Sequence, residues 1–142
     1  MHMTRLLPLL LLPCLTACEN TGASYMIDGN KDHSISVVRE QRYFWGSAVA
    51  QKVVAARFPI CQQRYDIADG KAGAGELELY EVNEVLYVLH QGNNWWGVGT
   101  EKCELQAFKT PPEKYGDLLG KFRFDNGTFK FVATKPATPP GK

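Results

Sequence analysis

One dipeptide narrows the fold of this chain more than any other feature: Asn126-Gly127, set between two alternating segments at 121–125 and 128–132. Asn-Gly is the favoured pair for a two-residue type I′ turn, whose twist matches that of the antiparallel strands it joins. A two-residue loop places Phe124 opposite Phe129 and Phe122 opposite Phe131. Because side chains alternate along a strand, the four rings then share one face while Arg123 and Lys130 point the other way. Four phenyl rings on one side predict a hairpin packed against the rest of a sheet.

The sequence before the hairpin reads mainly as β. Residues 24–28 predict a short strand, followed by turn chemistry at 29–32. Across 34–45 the alternation of Ile35, Val37, Tyr43 and Trp45 predicts one long strand, and Arg39 and Gln41 mark it as half buried. Residues 48–58 hold enough alanine for a helix, but Val49, Val53 and Val54, bounded by Gly46 and Pro59, favour a strand. Further strands are expected at 60–67, 76–82, 85–91, 95–98 and 102–109, with a glycine-rich loop at 68–75. Residues 111–119 predict a short helix with Pro112 in its first turn. Strands at this spacing predict an antiparallel meander folded into a small barrel or sandwich, with at most one short helix. The β domain spans 24–134, and the Pro-rich stretch 135–142 is expected to be a disordered tail.

The first eighteen residues, MHMTRLLPLLLLPCLTAC, speak about location. Arg5 precedes an apolar run at 6–12 that is interrupted by Pro8 and closed by Pro13. The run is far shorter than the roughly 20 apolar residues of a membrane-spanning helix, and it fits a cleaved secretory signal. Its end, Leu15-Thr16-Ala17-Cys18, resembles the lipobox of bacterial lipoproteins. The resemblance implies cleavage after Ala17, a diacylglyceryl thioether on Cys18 and a further acyl chain on the new amino group. Each buried methylene contributes about 0.8 kcal/mol, so two or more chains hold a protein on a bilayer without a spanning helix. Residues 1–17 are thus expected to be a signal peptide that takes Cys14 with it. Residues 18–23 are expected to be a lipidated tether, whose five residues after Cys18 reach at most about 18 Å. Lipoproteins with Asp after the lipidated cysteine tend to stay on the inner membrane; Glu19 here favours the outer membrane, facing the periplasm. The chain resembles an uncharacterised proteobacterial lipoprotein family, which carries no activity with it. It is also similar in size, anchor and cysteine pair to the small barrel lipoproteins that inhibit lysozyme. No stretch matches their inhibitory motifs, so that likeness suggests an inhibitor-like architecture alone.

Processing simplifies the composition. Removing 17 of 142 residues leaves 125, enough for one domain, and removing Arg5 leaves 15 Lys and Arg against 15 Asp and Glu. A balanced surface argues against nucleic acid, which asks for a basic stripe, and against a polybasic lipid contact. Cys61 and Cys103 remain, and in an oxidising compartment they are expected to pair. Closing so long a loop stabilises by about 4 kcal/mol in the chain-entropy model. A metal site is the weaker alternative, and no cofactor is expected.

Candidate sites are few. Asp28, Asn30 and Asp32 begin a calcium-loop pattern that fails at His33 and Arg39, so a polar turn explains them better. Asn126-Gly127-Thr128 matches a glycosylation acceptor, but the hairpin turn already accounts for it. After processing, two histidines remain, His33 and His90, together with four serines, none in a nucleophile-elbow setting. No catalytic residue is assigned; an enzyme would need His33, His90 and two acids to converge in one pocket. Gln91-Gly-Asn-Asn-Trp-Trp-Gly-Val-Gly99 is the most suggestive stretch. On a strand Trp95 and Trp96 point to opposite faces, so one can fill the core while the other lies near the surface beside His90, Asn93 and Asn94. That second indole is either covered by neighbouring elements or free to contact a glycan or a protein partner. The leading expectation is a non-catalytic, lipid-anchored envelope lipoprotein with an interaction or structural role. Its alternative is a glycan or small-molecule binding module using the Trp-rich face.

Overall fold

The computed structural model describes residues 18–134. The expected signal peptide, 1–17, and the expected Pro-rich tail, 135–142, lie outside the described residues. Ten strands make two antiparallel sheets packed as a sandwich. The first sheet is a plain meander of β1 (Asn20–Met26), β2 (His33–Glu40), β3 (Ala48–Arg57) and β4 (Cys61–Lys71). The second contains β5 (Glu76–Asn83), β6 (Leu86–Gln91), β7 (Asn94–Gly99), β8 (Glu104–Phe108), β9 (Asp117–Asp125) and β10 (Thr128–Ala133). Its spatial order is β10-β9-β5-β6-β7-β8, so the chain leaves β8 at one edge and returns beside β5.

Alternation explains the core. Ile35 and Val37 of β2 and Val53 and Ala55 of β3 face Leu77, Leu79, Leu89, Val98 and Phe122 of the second sheet, all fully buried. The hairpin has the expected register: Phe124 pairs with Phe129 and Phe122 with Phe131, while Arg123 and Lys130 are exposed. Its rings are mutually packed, with centroids 5.3 and 5.0 Å apart. Along one side of the sandwich β1 lies against β10, where Tyr25 meets Phe131 at 5.0 Å. On the other side the disulfide between Cys61, at the start of β4, and Cys103, in the turn before β8, joins the two sheets. Tyr65 of β4 adds a hydrogen bond from its hydroxyl to the Cys103 carbonyl, 2.7 Å long.

Residues 48–58 form the strand that their valines favoured. Three other segments depart from expectation. The long strand expected at 34–45 ends at Glu40, and Tyr43 and Trp45 stand in the loop that turns into β3. Arg39, taken as a mark of a half-buried strand, is itself fully inside, carried there by parity with Ile35 and Val37. The short helix expected at 111–119 is absent: this segment crosses from β8 towards β9 and needs extended reach. Gly116 has φ +81° there, and a Cβ on it would overlap the Glu81 carbonyl, so the crossing lies tight on the sheet. Finally, β1 begins at Asn20, so four of the six residues assigned to the tether belong to the sandwich.

Candidate functional site

The strands run between two ends. One end gathers Cys18, the β2–β3 loop, the β4–β5 crossing and the tip of the Asn126-Gly127 hairpin; the opposite end gathers the β1–β2, β3–β4 and β5–β6 connections. Both ends present polar side chains inward from the same two strands, because the inward parity of β2 runs from His33 to Arg39 and that of β3 from Gln51 to Arg57.

At the first end Arg39 is fully buried, and all three of its guanidinium nitrogens donate hydrogen bonds. Its Nε donates to Glu19 Oε1 at 2.6 Å and Nη1 to Gln51 Oε1 at 2.8 Å. Its Nη2 donates to the carbonyls of Lys71 and Ala74 at 2.6 and 2.8 Å. The guanidinium also lies 5.4 and 5.1 Å from the ring centroids of Phe124 and Phe129, a cation–π contact with the hairpin tip. Gln51 passes the network to the second sheet, donating to the Ala68 carbonyl and to Gln91 Oε1. Glu19 Oε2 accepts from the Gly73 amide. A Cβ on Gly70 would come within 2.6 Å of Gln51 Oε1, so glycine there leaves the space that the network occupies. Cys18, the residue before Glu19, is exposed and outside the disulfide.

At the opposite end the inward residues are less well served. A cavity of about 430 Å³ opens between the sheets, lined by Tyr25, Asp28, His33 and Arg57 of the first and by Glu81, Glu84 and Tyr87 of the second. His33 Nδ1 lies 3.8 Å from Asp28 Oδ2, too far for a good hydrogen bond. His33 Nε2 is buried without a hydrogen-bond partner, the one such side-chain atom among the described residues. Burial, helped by the carboxylates of Glu81 and Asp28, pushes the Tyr25 hydroxyl above its ordinary pKa, and burial does the same to Tyr87. Beside the cavity, the turn after Arg57 leaves Phe58 and Ile60 exposed.

The tryptophan pair divides between two faces. Trp96 is buried in the core, while Trp95 lies half-buried on the outer face of the second sheet. Its indole stacks on His90, its partner across the β6–β7 ladder, with centroids 3.8 Å apart and planes at 18°. Tyr115, from the crossing that replaced the expected helix, leans on the ring at 5.4 Å. His90 is itself held, with Nδ1 2.9 Å from Glu78 Oε2 and Nε2 2.7 Å from the Gly92 carbonyl. The His90 hydrogen bond, with help from Tyr80 and Lys121, holds the Glu78 carboxyl down at about 2 despite partial burial. Burial, then the hydrogen bond to Glu78, pushes the Tyr80 hydroxyl up to about 12. Asn93, in the β6–β7 turn, and Asn94, at the start of β7, are exposed. The Trp95 face is thus partly roofed and not an open platform.

His33 meets three acids in the cavity, but His90 lies towards the other end on an outer surface, so the two histidines do not converge. Among the described residues no group of three His, Cys, Asp or Glu side chains could hold a metal ion. The sequence reasoning missed Arg39 and Gln51 as buried groups, and Tyr25, Arg57, Glu81 and Glu84 as cavity walls. Strand parity carried a usable signal for the first two and for Arg57; nothing local marked the rest. No protein-family model, no curated protein and no solved structure matches the chain.

Proposed function

We propose that this chain is a lipid-anchored envelope protein, acylated on Cys18 and acting without catalysis, through contacts made by the end of the sandwich that points away from the bilayer. The observation that carries the reading is the opposition of the two ends. Cys18 is exposed at one end and separated from the Arg39 network by a peptide bond to Glu19. The cavity and the exposed Phe58 and Ile60 lie at the other. With β1 beginning at Asn20, an acyl anchor on Cys18 has almost no tether and draws the domain onto the lipid. The residue after the cysteine, Glu19, favours the outer membrane and the periplasmic side. Exposed apolar side chains beside a polar cavity suit a protein partner in the envelope. Metabolic labelling with palmitate tests the anchor: label on the wild type and none on Cys18→Ser is expected, and label on the variant refutes the assignment. A photo-crosslinking residue at Ile60 tests the partner, and cross-links formed no more often than from the exposed Lys109 would refute a docking end.

A second reading, a small-molecule binding module, is favoured by a cavity of about 430 Å³ with His33, whose buried Nε2 is unpaired, in its wall. It moves the expected site from the Trp95 face, where His90 and Tyr115 already occupy the ring, to the cavity. Glycan fragments that shift the ring signals of His33 and Tyr25 in NMR spectra support it; shifts confined to Trp95 would return the site to the Trp-rich face.

A further inference from the structure

The β2–β3 loop carries three consecutive aromatic residues turned into solvent: Tyr43, Phe44 and Trp45 are 58, 63 and 72% exposed. Such exposure of adjacent rings is costly in water and asks for a covering surface. The loop is shaped before anything covers it. Tyr43 lies 5.0 Å from Trp45, and Phe44 meets the same indole edge-on at 4.8 Å. The Gly46 amide closes a turn onto the Tyr43 carbonyl at 3.2 Å.

Position selects the surface. Gln41, at the base of the loop, donates its amide to the Glu19 carbonyl at 2.7 Å and accepts from the Glu19 amide at 3.0 Å. Its side-chain amide reaches across to the Gly46 carbonyl at 2.6 Å. The aromatic loop is therefore fastened at its base to the residue that follows Cys18, and its Ser47 carbonyl accepts from the Ala72 amide of the β4–β5 crossing at 2.8 Å. Arg42 is exposed beside the rings.

We infer that the Tyr43-Phe44-Trp45 loop is a second membrane contact, seated in the interfacial layer of a phospholipid bilayer beside the acylated Cys18. Amphipathic rings such as Trp and Tyr favour that layer, with the ring among acyl chains and the polar atom at headgroup level. Arg42 would meet lipid phosphates, which suit a guanidinium. The inference rests on the lipid-anchor reading for the surface it meets, but its chemistry is its own. Lipid on Cys18 alone gives a pivot; three pre-packed rings beside it give a foot that fixes how the sandwich stands and keeps the cavity end pointing outward.

The test uses the labelled protein itself, reconstituted in phosphatidylethanolamine–phosphatidylglycerol vesicles containing brominated lipid. Trp45 fluorescence is taken as the difference between the wild type and Trp45→Phe. Quenching of that difference by brominated lipid, with protection from aqueous iodide, is expected. Palmitate-labelled protein whose Trp45 stays open to iodide overturns the loop contact and leaves the anchor standing. If labelling fails, the anchor reading fails, and the same vesicles are offered protein made from residue 18 with Cys18→Ser, which retains every described strand. There, bromine quenching of Trp45 and about a tenfold fall in vesicle partition for Tyr43→Ser/Phe44→Ser/Trp45→Ser sustain the loop contact, and no quenching overturns it. Trp45 already shielded from iodide without vesicles would mean that protein covers the rings, and this too overturns it.

Discussion

The two ends of the sandwich solve the same problem in different ways. Strands β2 and β3 run the length of the fold and turn a polar pair inward at each end: Arg39 with Gln51 near Cys18, His33 with Arg57 at the far end. Near Cys18 the polar contacts centre on Arg39, with acceptors from Glu19, Gln51 and the carbonyls of Lys71 and Ala74. At the far end the sheets are joined covalently, by Cys61–Cys103, and the polar pair borders a cavity with an unsatisfied His33 nitrogen. A covalent staple leaves nearby polar groups free, whereas a non-covalent lock consumes them. The difference separates the end built for cohesion from the end with chemistry to spare.

The comparison breaks most readily at Arg39. Truncation to Ala strands the Glu19 carboxylate and leaves the buried Gln51 amide and two carbonyls without their donor. Breaking a buried ion pair in this way costs about 3–5 kcal/mol, and urea unfolding at neutral pH is expected to show it. A loss below about 1 kcal/mol would mean that water replaces the network and that cohesion at this end comes from elsewhere. Next in size is the staple. Cys61→Ser with Cys103→Ser opens a cross-link between residues 42 apart, and a loss of about 2–4 kcal/mol is expected in the same assay. A cost near zero would show that the hydrogen bond of Tyr65 and the strand packing hold that edge without it.

How much of this was legible depends on the range over which each contact acts. The Asn126-Gly127 hairpin was readable to the register, because its turn residues and its four phenylalanines lie within ten positions. Arg39 shares the parity of Ile35 and Val37, yet its charge argued for exposure; the partners that make burial tolerable come from Glu19 and the crossing near Ala74, far along the chain. Tyr43 and Trp45 kept the alternation of a strand, but the ladder to β1 ends at Gln41, whose side-chain amide bonds across to the Gly46 carbonyl while the Gly46 amide closes a turn on Tyr43. The division of Trp95 and Trp96 between faces followed from alternation alone. That His90 and Tyr115 would cover Trp95 did not, since Tyr115 arrives on a crossing that its prolines made look like a helix start. The cavity draws walls from separate strands and turns of both sheets, and no local pattern unites them.

A smaller effect belongs to the outer face, between the extremes. The Glu78 carboxyl, held at about 2 against an ordinary 4.5, belongs to a group whose folded pKa is depressed. Its stabilisation is therefore full above about pH 4.5 and is lost as pH falls towards 2. Glu78→Gln is expected to cost about 1 kcal/mol at pH 7, since the side chain is partly exposed, with the cost shrinking as pH falls through about 2. A Glu78 carboxyl that titrates by NMR in the ordinary carboxylate range would mean that the His90 and Lys121 contacts are not maintained in solution.

The smallest change carries the sharpest sign. His33→Leu keeps an apolar body of similar size and removes a buried nitrogen that has no partner. Removing an unsatisfied polar atom is neutral or stabilising, so the expected change lies between zero and a gain of about 1 kcal/mol, opposite in direction to Arg39→Ala. Arg57→Ala, at a residue that lines the cavity, is expected to change stability by no more than about 0.5 kcal/mol. If both hold, the far end keeps polar groups that folding does not require, which is what selection for binding leaves behind. If His33→Leu instead costs as much as Arg39→Ala, the far end is a second lock, and the contrast between the two ends fails.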